Sequence, residues 1–166
     1  MEIERKFLAD PGELDLTQYK KKEMSQGYIS TNPVIRIRQS NDSYILTVKN
    51  GGLLVREEFE TPLSREQYNA LAKKAEGVFL SKTRYLIPLE EGYTAELDIF
   101  HEALEGLVYV EVEFPTVEEA QCFRAPKWFL REVTEDGSYT NAALSRLSPE
   151  ELVHFLEKAK DKGEAV

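Results

Sequence analysis

The side chains of this chain that could do chemistry recur at a spacing of two: Glu2, Glu4 and Lys6, Arg36 with Arg38, Glu58 with Glu60, Lys82 with Arg84, Glu96 with Asp98, and Glu111 with Glu113. Lys49 stands apart from these groups at the end of its own apolar stretch. Residues two apart share one face of a β-strand, because successive side chains point to opposite faces. Apart from Lys6 the neighbours are like-signed, carboxylate beside carboxylate and cation beside cation. Patterning for solubility mixes the signs, and like charges side by side repel. Acidic pairs and basic pairs on separate strands instead suit separate attachment points for a cation and an anion. A hard divalent cation such as Mg²⁺ takes a few carboxylate oxygens plus substrate phosphates. Paired guanidiniums grip phosphate oxygens bidentately, and lysine adds point charge. A hollow lined by both would bind a polyphosphate.

The elements that must position these groups are strands. Alternation and turn signals predict them at about 1–7, 24–30, 34–38, 44–49, 54–61, 80–88, 93–100 and 108–114, with a polar connection over 14–22 and Asn50-Gly51-Gly52 as a hairpin turn. Ser64 with Gln67 and Thr116 with Glu119 are capping-box spacings that start helices, the first running to about residue 75 with Gly77 at its exit. A short segment over 128–133, a short helix near 141–147 and a last helix from Ser148-Pro149 complete the chain. Eight mainly antiparallel strands are what closes a small barrel and removes exposed edges. The expected fold is therefore α+β: a closed eight-stranded antiparallel β-barrel with flanking helices, one domain over residues 1–166 with a helical tail from about 140. The charged faces point either to solvent around an apolar core or into the barrel, with the apolar faces lying under helices.

Composition narrows the partners. The 166 residues carry a net charge of -9, which argues against a nucleic-acid partner and requires any anion site to be local. Cys122 is the only cysteine and there are two histidines, so neither a disulfide nor a Cys/His zinc site is expected. The charged pattern starts at residue 2, leaving no room for a signal peptide, and no apolar run approaches membrane-spanning length. A cytoplasmic protein without a membrane partner is expected, and a homodimer is one option for its assembly. Trp128 with Phe129 reads as a core plug beneath the tail, His101 as a surface or hydrogen-bonded histidine, and Lys20-Lys21-Lys22 as a solvated loop. Neither GxxxxGK[ST] nor GxGxxG occurs.

Glu2-Ile3-Glu4-Arg5-Lys6 is an ExExK motif. Together with Arg36-Ile37-Arg38, Thr47-Val48-Lys49, Lys82-Thr83-Arg84-Tyr85, Glu96-Leu97-Asp98 and Glu111-Val112-Glu113, it closely resembles the CYTH domain of the triphosphate tunnel metalloenzymes. The likeness extends through Glu132 to Asp136 and on to Tyr139, Asn141 and Leu144. It implies an eight-stranded tunnel whose charged interior binds a triphosphate with Mg²⁺ or Mn²⁺, two ions being the expected number. Under that resemblance Glu2 and Glu4 look like metal ligands, joined by Glu111 and Glu113 and more weakly by Asp98 and Glu58. Lys6, Arg36, Arg38, Lys49, Lys82 and Arg84 look like the phosphate-binding set. Lys6 is the first candidate for a general base or water-positioning group, and Lys49 with Tyr28 is the competing one. Small members with this compact tail resemble inorganic triphosphatases most. A class IV-type adenylate cyclase, a thiamine triphosphatase and a non-catalytic polyphosphate-binding module are the alternatives.

Overall fold

A computed structural model describes residues 3–50 and 57–163, with side chains described through residue 159. Glu2 and Arg56, and the expected turn at residues 50–52 beyond Asn50, lie outside the described residues. Nine strands are present: β1 (Ile3–Ala9), β2 (Lys20–Thr31), β3 (Val34–Ser40), β4 (Ser43–Lys49), β5 (Glu58–Pro62), β6 (Glu76–Pro88), β7 (Thr94–His101), β8 (Val108–Phe114) and β9 (Phe129–Glu132). They form one antiparallel sheet in the order β5-β4-β3-β2-β6-β7-β8-β1-β9. Helix α1 (Arg65–Ala72) links β5 to β6, α2 (Val117–Cys122) links β8 to β9, and α3 (Asn141–Ser145) and α4 (Pro149–Gly163) follow β9. Both expected caps are formed. Ser64 and Gln67 make a reciprocal capping box at α1, and Thr116 accepts from the Glu119 N–H at α2.

The sheet curls until strands from both of its ends face the same hollow, a tunnel flanked by helices. Among the described residues its closure is by curvature, since no ladder pairs β5 with the far side. The ninth strand comes from the 128–133 segment, which pairs with β1 through Phe7 opposite Glu132 and Ala9 opposite Phe129. Arg5 pins it there. Its guanidinium donates through Nε and Nη2 to the two Glu132 carboxylate oxygens at 2.9 and 2.6 Å, and through Nη1 to the Ala120 carbonyl of α2 at 2.8 Å. One side chain thus ties α2 and β9 to the outside of the wall.

Two further expectations are corrected. Lys20, Lys21 and Lys22 belong to β2, paired with Leu86, Tyr85 and Arg84 of β6, so the solvated loop is an exposed extension of a strand. Gly77 is not the exit of α1, which ends at Ala72 with Lys73 as its C-cap, but lies in β6 with φ +70. A Cβ there would come within 2.1 Å of the Ser145 carbonyl oxygen. Only glycine allows both that backbone angle and so close an approach of α3.

Strands β1, β7 and β8 carry buried side chains on both faces. Phe7, Leu97, Val110, Val112 and Phe114 pack outward with Ala120 and Phe129 under α2 and β9, and Trp128 stacks edge-on against Phe129 at 4.5 Å. The tryptophan is a packing residue of this outer layer, away from the tail. On the inner face Leu8, Leu80, Phe100 and Tyr109 pack with Leu104, Leu107, Tyr139, Leu144 and Leu152 into a second cluster. The helical tail therefore plugs one end of the hollow.

Candidate active site: a charged tunnel

Three neighbouring strands show how depth in the tunnel is encoded. Along the inner face of β1 the order is Glu4, Lys6, Leu8; along β8 it is Glu113, Glu111, Tyr109; along β7 it is Glu96, Asp98, Phe100. In each, burial increases in that order or is already complete at the second residue. Exposed carboxylates rim the hollow, paired charges follow, and aliphatic and aromatic side chains close the far end.

The hollow has a volume of about 410 Å³, within the range of small-molecule sites. Among the described residues its lining contains five cations (Lys6, Arg36, Arg38, Lys49, Arg84) and six carboxylates (Glu4, Glu58, Glu60, Glu96, Glu111, Glu113), with Tyr28, Thr140 and Asn141 among the neutral groups. Of the two orientations open from the sequence, the charges face inward. The signs are largely segregated, with Lys6 on β1 and Glu58 and Glu60 on β5 as the exceptions. Arg36, Arg38, Lys49 and Arg84 come from β3, β4 and β6, while Glu96, Glu111, Glu113 and Glu4 come from the contiguous β7, β8 and β1.

On the basic side every guanidinium is braced. Arg38 donates through Nε to Gln26 Oε1 at 2.8 Å. Burial, reinforced by Arg36 and Arg84, pulls its pKa down to about 10, as expected where cations crowd a desolvated site. Arg36 donates to Thr47 Oγ1, which in turn donates to Glu60, both at 3.3 Å. Two donors, Gln26 Nε2 and Arg36 Nε, are buried without a partner. Buried donors are normally satisfied, so these two mark where an anion would complete the network. Tyr28 is buried beside Arg36 and Arg38. Burial raises its pKa more than the two guanidiniums lower it, which keeps the phenol protonated. Lys49 Nζ lies 3.7 Å from Glu58.

Lys82 and Asp98 do not line the hollow. Asp98, fully buried, accepts from Lys82 Nζ at 2.7 Å and from Arg84 Nε and Nη2 at 2.8 and 2.9 Å. Arg84 Nη1 also meets Glu96 at 2.7 Å. Burial alone would raise the Asp98 pKa, but Lys82 and Arg84 outweigh it and hold the carboxyl below its ordinary value. Burial pulls Lys82 down to about 8 against the attraction of Asp98. Its ammonium sits 5.4 Å from the Phe100 ring centre, over the apolar plug. Asp98 thus holds two cations. Lys82 is the deeper of the pair and braces rather than touches the hollow.

Lys6 reaches into the hollow from β1. Its Nζ donates to the Tyr139 carbonyl oxygen at 3.0 Å, lies 4.6 Å from the Tyr109 ring centre and is 4.0 Å from Glu111. On the acidic side Glu4 stands directly opposite Glu113, Lys6 opposite Glu111, and Glu111 opposite Glu96. Carboxylates facing each other across a pair of strands repel, and a cation between them removes that cost. No three acidic, histidine or cysteine side chains converge on a metal cage among the described residues. An ion of the Mg²⁺ type needs none, because it binds through one or two carboxylates and completes its shell with substrate oxygens and water. The oxygen-only donor set fits that ion class.

Gln26, Thr47 and Asn141 are the site residues that spacing did not reveal. As isolated neutral polar residues they carry no pattern of their own, and Thr47 and Asn141 enter only through the resemblance. His101 is the hydrogen-bonded histidine expected, its Nε2 at 2.7 Å from the Thr83 hydroxyl on the outer face.

Residues 1–135 match the CYTH domain family. An inorganic triphosphatase of Nitrosomonas europaea is 40% identical over 154 residues, covering 89% of this chain and 99% of its own. An inorganic triphosphatase of Acetivibrio thermocellus is 36% identical over 148 residues, covering 86% and 92%. A crystal structure of an inorganic triphosphatase superposes with a TM-score of 0.75 at 37% identity, over 90% of this chain and 97% of that one. With its motifs facing inward and most of its length aligned, this chain belongs to the CYTH domain family.

Proposed function

We propose that this protein hydrolyses inorganic triphosphate to pyrophosphate and phosphate inside the tunnel, with the aid of Mg²⁺ or Mn²⁺. The observation that carries the reading is the segregation of charge in one hollow: a braced basic wall with two unsatisfied buried donors faces a wall of carboxylates. The names of the relatives agree with it. Among the described residues Tyr28 is the only aromatic side chain in the lining, which favours an inorganic chain over a nucleotide needing a base platform.

Arg36, Arg38, Arg84 and Lys49 bind phosphate oxygens and hold the chain along the basic wall. Tyr28, kept protonated, donates to the same oxygens. Glu4, Glu111 and Glu113, with Glu2 assigned from its motif alone, are the metal-holding set; Glu58 serves Lys49 and Asp98 serves Lys82 and Arg84. A divalent ion bound there supplies neutralising charge at the phosphate oxygens and acidifies water. Lys6, fixed by the Tyr139 carbonyl beside Glu111, orients the attacking water at the inner phosphoryl. The preformed cations stabilise charge that grows on the equatorial oxygens as the bridging P–O bond breaks.

The test is phosphate release from tripolyphosphate, ATP and thiamine triphosphate, with Mg²⁺, with Mn²⁺ and with chelator, for wild type and Glu4→Ala. Activity on tripolyphosphate that disappears on chelation and falls at least about 100-fold in Glu4→Ala is expected. Hydrolysis that survives both treatments overturns the metal assignment, and turnover of ATP alone overturns the substrate.

A further inference from the structure

We infer that Asn141 is a substrate-positioning residue, its side-chain amide donating to the terminal phosphoryl group at the closed end of the tunnel; this rests on the triphosphatase reading above. Three observations meet at this residue. It lines the hollow together with Lys6 and Glu111. Its Oδ1 accepts the Tyr109 hydroxyl at 2.9 Å, which fixes which end of the amide is which and turns the NH₂ group away from Tyr109. Residue 139, two positions earlier, supplies the carbonyl that holds Lys6 Nζ at 3.0 Å. The stretch 139–142 therefore sets both the ammonium and the amide at the bottom of the hollow, in front of the apolar plug formed by Leu8, Leu80, Phe100 and Leu144.

The clamp on Asn141 is rigid. Tyr109 is fully buried, and its hydroxyl is held against Asn141 Oδ1. With Oδ1 taken up by that hydroxyl, the NH₂ group is the end left to meet an anion in the hollow. An NH₂ group supplies two donors and carries no charge, which suits contact with phosphate oxygens beside Lys6 without adding to the crowding of cations. Asn141 lies beyond the 1–135 stretch that matches the family, so this contact is contributed by the tail.

Three variants test it: Asn141→Asp, Asn141→Ala and Tyr109→Phe, with tripolyphosphate kinetics, melting temperature and thermal-shift titration by tripolyphosphate. Asn141→Asp keeps an acceptor for Tyr109 while replacing the donor with a negative oxygen. A folded Asn141→Asp with a melting temperature near wild type and a kcat/KM reduced more than in Asn141→Ala is expected. Asn141→Ala itself falls roughly 10- to 100-fold, the value of a hydrogen bond to a charged group. Tyr109→Phe, which changes no atom of the lining, raises KM because the amide is no longer held. Wild-type KM in Asn141→Asp, or a loss in Asn141→Ala equal to or greater than that in Asn141→Asp, overturns the inference. Should the Asn141 variants fail to fold, an unchanged KM in Tyr109→Phe overturns it and a raised KM supports it. A wild-type protein inert towards tripolyphosphate would instead remove the function on which it depends.

Discussion

Replacing Asp98 with asparagine asks whether this carboxylate holds the basic wall or binds a metal ion. The substitution is nearly isosteric, yet it removes the counter-charge that Lys82, whose side chain is 0% exposed, has among the described residues, and the bidentate partner of Arg84. Breaking a buried ion pair from one side costs about 3–5 kcal/mol, because the partner is left charged and unpaired. For a domain of this size that is about 6–20 °C in Tm, at about 2–4 °C per kcal/mol. Lys82 can lower the cost by shedding its proton, since its pKa is already down to about 8 with Asp98 present. The pH dependence follows from the sign of the Asp98 shift. Its folded pKa lies below the ordinary carboxylate value, so its stabilisation is present above about pH 4 and is lost as the pH falls through the folded value. The gap in Tm between wild type and Asp98→Asn is therefore widest near neutrality and narrows below about pH 4. Urea unfolding and calorimetry from pH 3 to pH 8 measure it. Activity should fall with the loss of the Arg84 anchor, and added Mg²⁺ or Mn²⁺ should not restore it. The apolar double variant Lys82→Met/Asp98→Leu should regain stability without regaining activity. Wild-type stability in Asp98→Asn, or rescue of its activity by metal, would refute the reasoning and return Asp98 to the metal set.

Two other perturbations probe neighbouring parts of the machine. Gly77→Ala forces a side chain into a left-handed backbone and against the Ser145 carbonyl at 2.1 Å. It should destabilise by at least about 1–2 kcal/mol in a urea titration, and it should raise KM for triphosphate because α3 is pushed away from the tunnel floor. Tyr28→Phe removes a buried phenol that is protonated in the folded state. If Tyr28 acts as a donor rather than a base, KM should rise about tenfold or more while the alkaline limb of the pH–rate profile stays where it is. A displaced limb would identify the phenol as the group that titrates.

Most of the fold was legible because strand periodicity and turn chemistry are local. The inner and outer faces of β1, β3, β7 and β8 follow directly from alternation, and the caps of α1 and α2 form as their spacing requires. The errors share one cause, pairing across distance. Lys20 to Lys22 carry no β-propensity and become strand only because β6 continues beside them. The β9 segment is too short to announce itself and is recruited by Arg5 reaching Glu132 across 127 residues. Gly77 looks like a helix stop until Ser145, far along the chain, is brought against it.

The site was legible in its charges and opaque in their division of labour, and the reason is depth. Alternation assigns Glu96, Asp98, Lys82 and Arg84 to one face without saying how far along the tunnel each lies. Depth is set by strand register, and register here opposes Arg84 to Asp98 and Lys82 to Phe100. Asp98 is level with two cations and walled by Phe100 and Tyr109, and withdrawing it would strand Lys82 in an apolar surrounding. One step nearer the rim, Glu111 faces Lys6 on one side and Glu96 on the other, and Glu113 faces Glu4; there the excess charge is negative and solvent is within reach. The same motif letters thus stand in an ion-paired scaffold at the bottom of the hollow and among an excess of carboxylates at its mouth. Lining charges of five cations against six carboxylates add a constraint. A triphosphate entering alone would leave the tunnel strongly negative, so binding should strengthen with divalent cation and the cation should bind more tightly with substrate, as linkage requires. Calorimetric titration of tripolyphosphate at increasing Mg²⁺ should show affinity rising with the metal until the carboxylates saturate. Affinity independent of Mg²⁺ would mean that the basic wall suffices alone and that the opposing carboxylates serve something other than the substrate.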